Sequence, residues 1–234
     1  GTSETGANIT ITTTAGDIQS ETGRGIAAYV RENFSTNGNS DITITTGDVA
    51  ASGTAVLASM NGTSETGANI TITTTAGDIE SETRRGIYAV IEKDVSTNGN
   101  SDITITTGDV TTDDAAIVAV MQYGGFTQGS KNITIDTTEG TITSNEYLGI
   151  VAQRSFGSGD ITITTADVHG DENGIYVFSQ FGGNESSNVI VDTTAGTVTR
   201  GGTFRSAINV VTNVVESNLG STDMRITTAD VEGV

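Results

Sequence analysis

The feature that most constrains this chain is verbatim recurrence. Residues 1–18 reappear unchanged as residues 62–79, and residues 35–49 reappear as 96–110. The long period is therefore 61 residues. A chain that repeats itself on this scale builds one unit many times, and each unit buries its apolar face against its neighbours. A shorter unit lies inside the long one. Strand openings start at Asn8, Asp41, Asn69, Asp102, Asn132, Asp160, Asn188 and Asp223, at intervals of 28 to 35 residues. Each unit reads [N/D]-I-T-I-T-T, a turn with Gly-Asp or Ala-Asp, a short Ile or Val segment, and then G-I-x-A.

The I-T-I-T segment alternates with period two, so Ile9 and Ile11 face one way and Thr10 and Thr12 the other. β-Branched residues favour the extended state. The second segment adds one inward aliphatic per unit: Ile18, Val49, Ile79, Val110, Ile142, Val168, Val198 and Val231. The third adds pairs such as Ile26 and Ala28, Ile87 and Ala89, or Ile150 and Ala152. Three aliphatic stacks fill a narrow core. The fold class expected is all-β: a right-handed single-stranded parallel β-helix of about eight coils, with three short strands per coil. At roughly 4.8 Å per coil, eight coils span roughly 38 Å, and the hand follows the rule for parallel crossovers. The whole chain, 1–234, reads as one solenoid, with tandem repeats over 1–61 and 62–122 and diverged coils over 123–234. It starts and stops inside a repeat, which reads as a piece of a longer array. A propeller needs longer blades, and a sandwich would not keep identical strands in the same place in every unit.

Composition narrows the function. A net charge of -19 makes nucleic acid and anionic membrane surfaces poor partners, because phosphate affinity needs clustered Lys or Arg. Cys is absent, which removes disulfides, thiolate zinc sites and thiol nucleophiles. Pro is absent too, as uninterrupted ladders require. No apolar run is long enough to span a membrane as a helix.

Stacking turns equivalent positions into columns. The opening residues alternate Asn and Asp, which doubles the spacing between carboxylates and lets an Asn amide donate to each; this is a structural ladder. A second column holds Asp17, Asp48, Asp78, Asp109, Asp167 and Asp230, interrupted by Thr141 and Thr197. It reads either as a calcium row or as turn carboxylates accepting backbone N–H groups; the latter is the expectation, with no metal or other cofactor. Outward Thr pairs (Thr10/Thr12, Thr43/Thr45, Thr71/Thr73, Thr104/Thr106, Thr162/Thr164) form a third array, broken at Asp136, Ile190, Asp192 and Arg225. Such rows resemble those of β-helical ice-binding proteins. The third strand is apolar on its outward side as well: Leu57, Tyr88, Val90, Val118, Val120, Val151, Tyr176 and Phe178. A strand apolar on both faces is covered on both, by its own loops or by a partner. These eight residues are the candidate binding site. The one histidine, His169, is expected in a solvated turn. No phosphate loop, dinucleotide fingerprint or unique carboxylate cluster stands out, so the chain reads as non-catalytic.

The units D-I-T-I-T-T-G-D-V at 41–49 and 102–110, and D-I-T-I-T-T-A-D-V at 160–168 followed by G-I-Y at 174–176, resemble the passenger domains of Gram-negative autotransporters, the pertactin-like right-handed β-helices. The resemblance implies secretion, display on the cell surface, and an adhesin or self-associating stalk. Partners are then the chain itself, side by side or end to end, or a glycan or protein of a host or cell surface. A polysaccharide-binding or polysaccharide-active β-helix is the lesser alternative. The family's membrane-embedded barrel and the catalytic Ser motif of its protease members are not in this sequence, so neither property is carried over.

Overall fold

The structure is a computed structural model that describes all residues except 1, 4–5, 15, 32–34, 37, 62, 65–66, 75–76, 93–98, 123–128, 156, 182–185, 203–205, 215–221 and 234. It is an all-β parallel solenoid of the right-handed type, and no helix occurs among the described residues. The I-T-I-T segments form one ladder: Ile9–Thr13, Ser40–Thr46, Gly67–Thr74, Asn100–Thr107, Lys131–Thr137, Ile161–Thr165 and Ser187–Arg200, with Thr222–Gly233 beyond. Three-residue strands from Ile18–Ser20 to Val168–Gly170 form the second ladder. Ser187–Arg200 runs through both, so the first and second ladders merge into one sheet there. The third sheet has seven strands: Ile26–Val30, Val56–Asn61, Ile87–Glu92, Ile117–Gln122, Leu148–Ser155, Asn173–Phe181 and Ile208–Val214. Closed coils are thus slightly fewer than the eight read from the sequence. One element goes beyond the three strands expected per coil. Thr2–Ser3, Ser35–Thr36 and Thr63–Ser64 pair as a small fourth sheet.

Every ladder is parallel, and each keeps equivalent residues opposite one another. Ile70 stands between Ile42 and Ile103, Ile79 between Val49 and Val110, and Ala89 between Ala58 and Ala119. Period-two alternation therefore delivers the aliphatics to a continuous interior, where Ile44, Ile72, Ile105, Ile135 and Ile163 are fully buried. Burial falls off in the first and last coils described, which have a described neighbour on one side only: Ile9 and Ile11 are half-buried, and Met224, Ile226 and Val231 are exposed.

A Thr column lies inside as well. The second Thr of each T-T pair, from Thr46 to Thr193, points inward and is buried. Stacked hydroxyls satisfy one another near the N-terminus, where Thr13 donates to Thr46 at 2.7 Å and Thr74 and Thr107 meet at 2.5 Å.

Two inward positions carry cations. Arg154 continues the column Val30, Met60, Ile91, Met121, and Lys131 continues the column Ser40, Ala68, Ser101. Both are fully buried. Burying a charge is costly unless hydrogen bonds replace its water. The Arg154 guanidinium donates to the carbonyls of Lys131 (3.2 Å) and Gly159 and to the hydroxyls of Ser179 (2.8 Å) and Ser187. Lys131 Nζ donates to the Gly99 carbonyl. Polar contacts thus replace aliphatic packing at this corner of the diverged coils.

Candidate functional site

Each column named from the sequence has a definite place. In the Asn–Asp ladder, Asn69 Nδ2 donates to Asp41 at 2.9 Å and Asn132 Nδ2 to Asp102 at 2.8 Å. The Asn carbonyls are used too: Asn8, Asn69 and Asn132 accept from the backbone N–H groups of Asp41, Asp102 and Asp160. Each side chain is spent on the next coil, which makes the ladder a stacking device.

The second acidic column behaves the same way. Asp48, Asp109 and Asp167 each accept the backbone N–H of the equivalent residue one coil on, namely Asp78, Thr141 and Thr197. Thr141 and Thr197 interrupt the acids, yet they still present the N–H that the preceding Asp requires. No group of three His, Cys, Asp or Glu suited to a metal ion occurs among the described residues.

The Thr pairs stack in register on the outer side of the first ladder, Thr10 on Thr43, Thr71 and Thr104, and Thr12 on Thr45, Thr73 and Thr106. The interruptions are locally engaged. Asp136 accepts from the Thr138 hydroxyl and backbone, and Asp192 does the same with Thr194. The Thr194 hydroxyl and amide bonds hold the Asp192 carboxyl below its usual range, with a smaller contribution from Arg225.

His169 lies in a strand, Val168–Gly170, rather than in a turn; the residue pattern of this short segment is turn-like, and the neighbouring strands impose the pairing. It stacks between Thr143 and Thr199, and its Nδ1 meets the Thr199 hydroxyl at 2.8 Å.

The third sheet carries the most distinctive surface. Two outward columns run along it. One is Ala27, Leu57, Tyr88, Val118, Val151, Tyr176, Asn209; the other is Tyr29, Ser59, Val90, Val120, Gln153, Phe178, Val211. Leu57, Val90, Val118, Val120 and Val151 are buried, between 3 % and 7 % exposed, while Tyr88, Tyr176 and Phe178 are half-buried. The outward valines join Ala115 and Leu148 in a second apolar cluster, separate from the core, against which Tyr88 and Tyr176 pack. Along the middle of this sheet the surface opens as a cleft of about 330 Å³, at the lower end for ligand sites. Val118, Val120 and Val151 line it with Leu148 and Ala115, Tyr88, Tyr147 and Tyr176 flank it, and Arg85, Asp114, Gln122 and Gln153 supply its polar groups.

Of the eight candidate residues, the cleft gathers Tyr88, Val118, Val120, Val151 and Tyr176. Leu57 lies beside Tyr88 in the preceding strand and Val90 beside Val120. Phe178 stands opposite Gln153 and Val211. Sequence reasoning missed Tyr147, Ala115 and Arg85, which sit just ahead of the third strands, and Leu148, which opens one. Arg85 carried no signal of its own, because it repeats Arg24 of the first long repeat. Its guanidinium lies 4.2 Å from the Tyr88 ring centroid, so a cation–π contact holds that ring.

A second depression follows the corner between the second and third strands and is acidic. Glu21, Glu80, Glu82 and Asp113 line it with Ser52, Ser81 and Thr112. Glu21, Ser52, Glu82 and Asp113 each follow the paired column Ser20, Ala51, Ser81, Thr112, so three of its acids are one column, which the sequence reading did not single out.

No protein-family model, curated protein or solved structure matches the chain.

Proposed function

We propose that this chain is a non-catalytic adhesive stalk, displayed outside a Gram-negative cell, with recognition at the tyrosine-flanked cleft of the third sheet. One observation carries the reading. At this sheet the two long repeats keep their inward residues or exchange only Val for Ile (Val30/Ile91, Val56/Ile117), and differ more widely in their outward ones. Ile26 and Ala28 correspond to Ile87 and Ala89, whereas Ala27 and Tyr29 correspond to Tyr88 and Val90, and Leu57 and Ser59 to Val118 and Val120. Packing accounts for the constant positions. It does not account for the outer face changing from Ala27, Tyr29, Leu57 and Ser59 in the first repeat to Tyr88, Val90, Val118 and Val120 in the second. Cys-free composition and the solenoid fold agree with the passenger-domain resemblance, which supports the same placement.

Beads coated with the chain should be retained on a layer of cells more strongly than bare beads. Tyr88→Ala/Tyr176→Ala should bring retention to background while leaving the melting curve close to wild type, since both rings are only half-buried. Equal retention of wild type and variant would remove the cleft from the reading.

The in-register Thr columns support a second reading, ice binding. Clear thermal hysteresis, abolished by Thr73→Lys, would establish it in place of the first.

A further inference from the structure

We propose that the third-sheet cleft takes a short stretch of a neutral glycan, about three pyranose rings long. The inference rests on the adhesive reading above and names its ligand class.

Length comes from the ladder. Tyr88 and Tyr176 occupy one column with Val118 and Val151 between them. Three coil steps set the two rings roughly 14 Å apart, which matches about three sugar rings end to end. Shape comes from burial. Val118, Val120 and Val151 are 6–7 % exposed, so the floor lies deep between the flanking rings. A second copy of this chain offers a broad face that gains little area from such a floor, whereas stable protein interfaces bury roughly 1,600 Å². An extended peptide fares no better. Its backbone needs a free strand edge, and the third-sheet strands around the cleft are paired on both sides. A thin, ring-shaped ligand reaches the floor.

Charge selects among thin ligands. Among the described residues, Arg85 and Asp114 are the only charged ones lining the cleft, one of each sign. An anionic polymer would meet a chain of net charge -19. A cation would meet the like charge of Arg85, whose guanidinium stands 4.2 Å from the Tyr88 centroid. What remains complementary is an uncharged ligand with apolar ring faces and a hydroxyl rim. The valines and tyrosine faces meet the former, and the amides of Gln122 and Gln153 meet the latter.

The test uses the whole 234-residue chain. A printed array of neutral glycans is screened first. Cellotriose, maltotriose and tri-N-acetylchitotriose are then titrated by saturation-transfer NMR, with trigalacturonate and spermine as charged comparisons. At least one neutral saccharide should bind with a dissociation constant of about 1 mM or below. Tyr88→Ala or Tyr176→Ala should weaken it at least about fivefold, and Tyr176→Phe, which keeps the ring face, should retain it. The proposal is overturned if array and titrations are silent for neutral sugars, if a charged probe binds more tightly, or if cleft variants bind like wild type. Bead retention separates the two levels of the argument. Retention that Tyr88→Ala abolishes, but that neither free sugars nor periodate treatment of the cells reduces, keeps the adhesive reading and removes the glycan. Retention indifferent to Tyr88→Ala/Tyr176→Ala removes the cleft from the adhesive reading, and the glycan with it.

Discussion

Replacing Arg154 by Ala should lower the unfolding free energy by about 2–5 kcal/mol, the range for truncating a large buried side chain to alanine. The guanidinium is fully buried and satisfies the carbonyls of Lys131 and Gly159 and the hydroxyls of Ser179 and Ser187. Alanine removes that donor, leaving the Gly159 carbonyl with the Ser187 hydroxyl at 2.9 Å, and opens a cavity beside Met121. Arg154→Met separates the two contributions. Methionine restores the volume and matches Met60 and Met121 in the same column, yet it donates nothing, so about half the loss should remain. A solenoid couples each coil mainly to its neighbours. Hydrogen exchange should therefore quicken first in strands 131–137, 148–155 and 173–181, while 40–46 and 67–74 keep their protection. A urea midpoint for Arg154→Ala close to wild type, with unchanged slope, would show that the corner does not depend on this side chain.

Arg154 also marks a limit of reading columns from a sequence. The ladders were legible because like residues meet like residues, so the period alone fixes which side chains touch. The Asn–Asp ladder is the clearest instance. Its alternation anticipates the amide-to-carboxylate bonds that Asn69 and Asn132 make. Arg154 and Lys131 escaped because a charged residue in a strand is normally assigned to the outer face. Alternation from Ile150 and Ala152 and register against Met121 both place Arg154 inside. The fourth sheet escaped for a different reason. Two-residue strands such as Thr63–Ser64 carry no alternation to detect.

The outward apolar columns were legible in composition and not in geometry. Residue types show that Val118 and Val151 stand on the outer face. Whether that face is a patch or a cleft depends on Tyr147 and Leu148, which enter where the next strand begins. Such lateral packing belongs to no column. The same face explains how one scaffold supports recognition. Inward positions are held by the stack, whereas Ala27 can become Tyr88 one repeat later without disturbing a ladder bond.

Gly86→Val should cost about 4 kcal/mol or more and should distort the cleft, because glycine is required there for close approach. A Cβ at Gly86 would stand 2.4 Å from Val110 Cγ1 and 2.8 Å from the Ala116 carbonyl oxygen. That carbonyl accepts the Ile87 N–H at 2.8 Å, and the Gly86 carbonyl accepts from Val56. Relief of the clash must therefore move the start of strand Ile87–Glu92, and Tyr88 with it. The column itself suggests a rescue. Gly25, Gly86, Gly149 and Gly174 would each place a Cβ within 2.7 Å of a valine of the next coil, namely Val49, Val110, Val168 and Val198. Where the column has Ala55 or Ala116, the next coil presents Ile79 or Ile142 instead. Gly86→Ala alone should cost about 2 kcal/mol, and adding Val110→Ile, which recreates the Ala55/Ile79 pair, should recover part of that loss. Thermal melts of the three variants decide the matter. Strictly additive effects would show that the Gly–Val and Ala–Ile pairing is incidental, whereas recovery would make it a rule for how successive coils close on one another.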